Sequence, residues 1–92
     1  MKTALVREEK LMEPMLGQIV LFAGNFAPRG WELCAGQLIP INQNMPLFAL
    51  LGATFGGDGK TNFALPDLRS QSPGSGPNYI IAVRGTFPDR PL

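Results

Sequence analysis

Histidine is absent from this sequence. That removes histidine-ligated metal centres, a histidine general base and the ordinary pH switch near neutrality. The single cysteine, Cys34, has no partner for an internal disulfide, so an oxidising compartment is neither required nor indicated. With no histidine to activate it, Cys34 reads as a small buried thiol and not as a nucleophile. Charge is also scarce: Asp, Glu, Lys and Arg make up 16% of the residues, and the net charge is +1. The basic residues are scattered from Lys2 to Arg90 and form no stripe, so the footprint of a nucleic-acid binder is missing. No apolar run approaches the ~18 residues of a membrane-spanning helix. The N-terminus has a basic start at Lys2, but Arg7-Glu8-Glu9-Lys10 breaks its short apolar run, which speaks against a secretory signal and for synthesis in a cytoplasm.

What is present is apolar and rich in turn residues. The chain is 92 residues long, enough for one domain, and 45% of it is hydrophobic. Ile19–Ala23, Leu47–Leu51 and Tyr79–Val83 are apolar without interruption. A strand with one face in water alternates, whereas a continuous apolar strand is covered on both faces. A chain of this length has little material for covering several such segments. Self-association into a closed symmetric oligomer is the expected solution.

In chain order, residues 1–13 are polar and are expected to form a mobile arm, with the domain over 14–92. Leu16–Phe22 reads as the first strand and Pro28-Arg-Gly30 as a turn. Trp31–Cys34 and Gln37–Ile39, with Ala35-Gly36 between them, read as a tight hairpin. Trp31 is expected to anchor the core. Asn44 is placed as the N-cap of a two-turn helix over Met45–Leu51, with Pro46 in its first turn and Gly52 as its C-terminal stop. Leu47, Leu50 and Leu51 fall on one face of that helix, which is expected to be buried. Ser70–Pro77 has linker composition, Asn78–Val83 is the last strand, and Phe87 is the expected anchor of an irregular tail.

Phe55–Arg69 is the richest stretch. Gly59-Lys60-Thr61 looks like the end of a phosphate-binding loop. That motif requires glycine at position 54, which is threonine, and a helix starting at Lys-Thr. The dinucleotide pattern also fails, because Gly57-Asp-Gly59 is followed by Asn62 where glycine is needed. No cofactor is expected. Asp58 stands alone and lacks the ligand spacing of a calcium loop. Asp58 and Asp67 could be assembled into a glycosidase-type carboxylate pair, but nothing in the sequence brings them together. The better reading makes Asp58 a turn residue between glycines, and sets Asp67 and Arg69 to satisfy backbone groups or each other at a loop corner. Phe63 and Leu65 are expected to re-enter the core.

These residues, taken in order, resemble the phage tail collar family, and more closely its microcystin-dependent, tail-fibre-like branch. The resemblance is carried by Met12–Ile19, Phe22–Cys34, Gly36-Gln37, Leu47–Gly52, Phe55-Gly56-Gly57-Asp58-Gly59, Phe63–Arg69 and Asn78–Ala82 with Gly85 and Phe87-Pro88. It covers residues 12–90; residues 1–11 lie outside it, and Met12 resembles the family's usual start. It implies a β-rich α+β domain with short strands, one short helix and long Gly/Pro loops, completed by trimerisation. It also implies a structural, non-enzymatic part of a virion or phage-like contractile tail, partnered by itself and by a tail fibre or baseplate protein. The alternative reading is a receptor- or glycan-binding adhesin at a fibre tip. The structural and interaction candidates are Trp31, Phe55, Gly56, Gly57, Asp58, Gly59, Phe63, Pro66, Asp67 and Arg69.

Overall fold

The computed structural model describes residues 14–72 and 76–88; the expected arm over residues 1–13 lies outside them. The elements are β1 (Ile19–Phe22), β2 (Trp31–Leu33), β3 (Leu38–Pro40), α1 (Met45–Leu51), β4 (Asn62–Ala64) and β5 (Asn78–Ala82). Single 3-10 turns occupy Ile41–Gln43 and Arg69–Gln71. The strands form two antiparallel sheets, one ordered β1-β5-β2 and one pairing β3 with β4. The result is the small, β-rich α+β architecture anticipated from the sequence.

The last apolar run is the centre of the larger sheet. Ile80, Ile81 and Ala82 are buried, as a strand flanked on both sides requires. The β1 register sets Ile19 against Ile81 and Leu21 against Tyr79, while β2 sets Trp31 against Ala82 and Leu33 against Ile80. One face of this sheet carries Ile81, Val83 and the half-buried Tyr79 into a core shared with Leu16, Cys34, Leu47, Phe63 and Leu65. The Phe48 and Phe63 rings meet there at 5.2 Å, with planes 55° apart.

The expected hairpin over residues 31–39 does not form. β2 pairs with β5 and β3 pairs with β4, so the two segments belong to different sheets. Ala35-Gly36 is a crossing between sheets and not a turn. Ala35 bridges Asp67, and the Gly36 N–H donates to the Pro66 carbonyl at 3.3 Å. The physical reason is burial: pairing with β5 places Trp31 and Leu33 beside Ala82 and Ile80, which a two-residue hairpin cannot offer. The turn over Pro28-Arg29-Gly30 does form. Trp31 donates its N–H to the Pro28 carbonyl at 2.9 Å, and Gly30 sits at φ +88°, which a side chain would oppose.

Helix α1 has the bounds read from the sequence. Pro46 lies in its first turn, and the Gly52 N–H closes it on the Phe48 carbonyl at 2.7 Å. Two details differ. The Asn44 side chain makes no cap bond; its Nδ2 donates to the Pro40 carbonyl at 2.9 Å, and its Oδ1 accepts from Arg84 at 2.8 Å. Leu50 is 40% exposed, and the buried side of the helix is Leu47 with Phe48 and Leu51 packed beside it. Two expected anchors are corrected as well. Trp31 is half-buried at the sheet and outside the core cluster, and Phe87 is 48% exposed.

Candidate functional site

Residues 55–69 leave α1 through a loop, run along β3 as β4, and cross back to the larger sheet. The loop is built inward, around one carboxylate. Asp58 Oδ1 accepts the backbone N–H groups of Lys60 and Thr61 at 2.8 Å each and of Asn62 at 3.1 Å. Its Oδ2 accepts the Thr61 hydroxyl at 2.8 Å. Asn62 completes the exchange: its Oδ1 accepts the Asp58 N–H at 2.9 Å, and its carbonyl accepts the Gly59 N–H at 3.0 Å. Four donors on one carboxylate hold its pKa well below the usual range, the Lys60 N–H contributing most, then those of Thr61 and Asn62.

This geometry answers the phosphate question. A phosphate loop aims its N–H groups outward at a ligand. Here the N–H groups of residues 60–62 converge on Asp58, so the loop carries its own anion in the place where a phosphate would sit. The glycines serve that closure. A Cβ on Gly57 would stand 2.5 Å from the Phe63 Cα and 2.9 Å from the Asn62 carbonyl oxygen, and its φ is +90°. The loop can lie flat on β4 only with glycine there. Gly56 supports the same contact, since its carbonyl accepts the Ala64 N–H at 3.0 Å.

Beyond the loop, Phe63 and Leu65 are fully buried and Pro66 is buried, so the chain re-enters the core there. Phe55 remains 49% exposed. At the exit, Leu68 donates to the Cys34 carbonyl at 2.9 Å. Asp67 and Arg69 form a two-pronged pair, with Nε on Oδ1 at 2.9 Å and NH2 on Oδ2 at 2.6 Å. The Arg69 backbone N–H also reaches Oδ1, at 3.2 Å. The Arg69 side chain, then its backbone N–H, lowers the Asp67 pKa to about 2. The same contact raises the Arg69 pKa.

The two carboxylates stand at opposite ends of the β3–β4 ribbon, Asp58 beside Asn62 and Asp67 beside Ala35. Both are held ionised, and a general acid requires the reverse. Among the described residues no three of His, Cys, Asp and Glu gather as a metal site. Cys34 is buried, and desolvation pushes its pKa up to about 11, so it is unreactive as a nucleophile. No helix among the described residues is long and apolar enough to cross a membrane.

Arg84 is the residue that sequence reasoning missed. Its NH1 donates to Asn44 Oδ1 and to the Val83 carbonyl, at 2.8 Å each, and its NH2 donates to the Gln43 carbonyl at 3.2 Å. It thereby ties the end of β5 to the start of α1. The only signal in the sequence was an arginine directly after the last apolar run, and nothing local names a partner forty residues away.

In the two-sheet fold and in the loop closed on its own carboxylate, the polar groups maintain the backbone path. Residues 17–73 match the family described as the Phage Tail Collar Domain, and the chain belongs to that family. Membership carries a structural role in a phage tail. The match ends before β5, although β5 is the strand that joins β1 to β2. Comparison with curated proteins gives no match.

Proposed function

We propose that this chain is a collar or fibre module of a phage or phage-like contractile tail, assembling as a homo-oligomer of three copies and docking on a fibre or baseplate protein. The microcystin-dependent, tail-fibre-like branch of the family fits this reading. The count of three is what the family resemblance implies; the observation that carries self-association is β1. Its uninterrupted apolar sequence calls for cover on both sides, yet Ile19 is 40% and Leu21 47% exposed in a single copy. The sheet is left unfinished where a second molecule can complete it. Phe55 and Phe26 add exposed aromatic surface of the kind enriched in protein contacts. Size-exclusion chromatography with light scattering is the test: a trimer mass at micromolar concentration is expected, and a folded monomer contradicts the reading.

A second reading, attachment to a cell-surface glycan or other receptor, has one feature in its favour. An open groove of about 430 Å³ runs beside the Asp58 loop, lined by Pro40, Ile41, Asn42, Met45, Lys60 and Thr61. Loss of cell binding in a folded, oligomeric Lys60→Ala variant supports it; unchanged binding removes it.

A further inference from the structure

We propose that the outer edge of β1 is a strand-addition site for the β1 of a second copy, paired antiparallel across a two-fold axis. The proposal rests on the self-association reading above and names the contact. The hydrogen-bond pattern of the sheet sets which groups have no partner among the described residues. The Ala82 N–H donates to the Gln18 carbonyl, and Gly17 donates to the Ala82 carbonyl. With the period of two in an antiparallel ladder, Val20 and Phe22 turn their backbone groups toward β5, while Ile19 and Leu21 turn theirs outward. Among the described residues no strand lies beyond them. These are also the two residues of β1 whose side chains stand exposed.

Natural sheet edges are protected by charge, proline, a bulge or a covering segment. Among the described residues, Ile19–Phe22 carries no charge, no proline and no covering strand, and the one such device nearby is a bulge at its start, where Gly17 and Gln18 both face Ala82. The opposite edge of the same sheet is guarded: exposed Glu32 stands in the middle of β2, and the Trp31 N–H is taken by the Pro28 carbonyl. A β2–β2 pairing centred on Glu32 brings two carboxylates together, whereas β1 meets its own copy without any charge. The register follows from the outward groups. Ile19 faces the partner's Leu21 as a hydrogen-bonded pair, Leu21 faces the partner's Ile19, and Val20 faces the partner's Val20 as the close, non-hydrogen-bonded pair. Both copies satisfy their outward N–H and C=O groups at once, and the exposed Ile19 and Leu21 side chains cover each other on the side of the sheet that carries the core.

A contact one strand long buries on the order of 300–400 Å² per copy, less than the ~800 Å² of a standard interface half. It is therefore a weak contact, effective where other contacts already hold copies close. Being two-fold, it doubles whatever the assembly otherwise contains: a trimer becomes a hexamer, a monomer a dimer.

The test is light scattering from micromolar to millimolar concentration on the wild type and on Leu21→Lys, with circular dichroism to confirm the fold. The expected result is that the limiting mass of the wild type is twice that of the variant. A wild-type oligomer whose mass Leu21→Lys leaves unchanged overturns the edge contact and leaves self-association standing. A wild-type monomer throughout the range overturns both. Val20→Cys tests the register separately. Paired Cα atoms at the close position lie ~4.5 Å apart, within disulfide reach, so mild oxidation gives a covalent dimer. Ile19→Cys, two residues out of register with its own copy, gives little. A folded Val20→Cys variant that fails to cross-link overturns the proposed pairing.

Discussion

At Gly57 one hydrogen atom decides a backbone path. The left-handed φ and the 2.5 Å approach to the Phe63 Cα act together, so no rotamer of a larger residue relieves both. Gly57→Ala is expected to cost at least ~2 kcal/mol and, at roughly 4–8 °C per kcal/mol for a domain of this size, to lower Tm by ~8 °C or more. Thermal melting followed by circular dichroism checks it. Asp58 and Asp67 act through ionisation. Each is more acidic in the folded chain than in the unfolded one, so each favours folding above the unfolded carboxylate pKa of ~3.9. That contribution fades as pH falls through this range, and for Asp67 it is lost as pH passes about 2. Denaturant midpoints should therefore decline in acid, and the decline should be shallower in Asp58→Asn and in Asp67→Asn. Added salt should weaken the Asp67 part more, because that pair is a solvent-exposed ion pair, whereas Asp58 is held by backbone N–H groups.

Helix α1 is too short to stand alone, and its stability comes from docking. Leu47 is fully buried against the core while Leu50, three residues on, is 40% exposed. Leu47→Ala is expected to cost about 2–5 kcal/mol, and Leu50→Ala under ~1 kcal/mol, by chemical denaturation. Arg84→Ala removes the donor to Asn44, a residue only 8% exposed, and is expected to cost about 1–3 kcal/mol. Hydrogen exchange should then quicken at Phe48, whose N–H binds the Asn44 carbonyl, before it quickens in β5. The same elements show what was legible in the sequence. Pro46 and Gly52 punctuate α1 locally, and the apolar run of β5 announces a central strand, so both could be read. The Asp58 turn could be read as well, because its partners lie within four residues. The pairing of β2 could not: Trp31-Glu-Leu33 and Gln37-Leu-Ile39 flank a turn-like dipeptide, and only tertiary burial sends them to different sheets. Leu50 was misassigned for a related reason. Helical spacing gives a face, but the width of the docking surface decides which residue at the margin is covered.

At the scale of the molecule, the core is small: among the described residues seven buried ones form its main cluster, one of them Cys34. A domain this size keeps more of its surface in water than a large one does, and its margin of stability is correspondingly thin. Exposed Ile19 and Leu21 make the single copy less favourable still, since their burial is deferred to association. Folding and assembly should then be linked by mass action, because a partner copy binds the folded chain and not the unfolded one. Tm is expected to rise with protein concentration in the wild type, by an amount set by the affinity of the contact. In Leu21→Lys the rise should be smaller, while Tm at the lowest concentration changes little, because an exposed side chain contributes little to the single copy. Differential scanning calorimetry across the concentration series separates the two. A wild-type Tm independent of concentration would mean that the single copy is stable by its own core, and that the open edge of β1 plays no part in holding the fold.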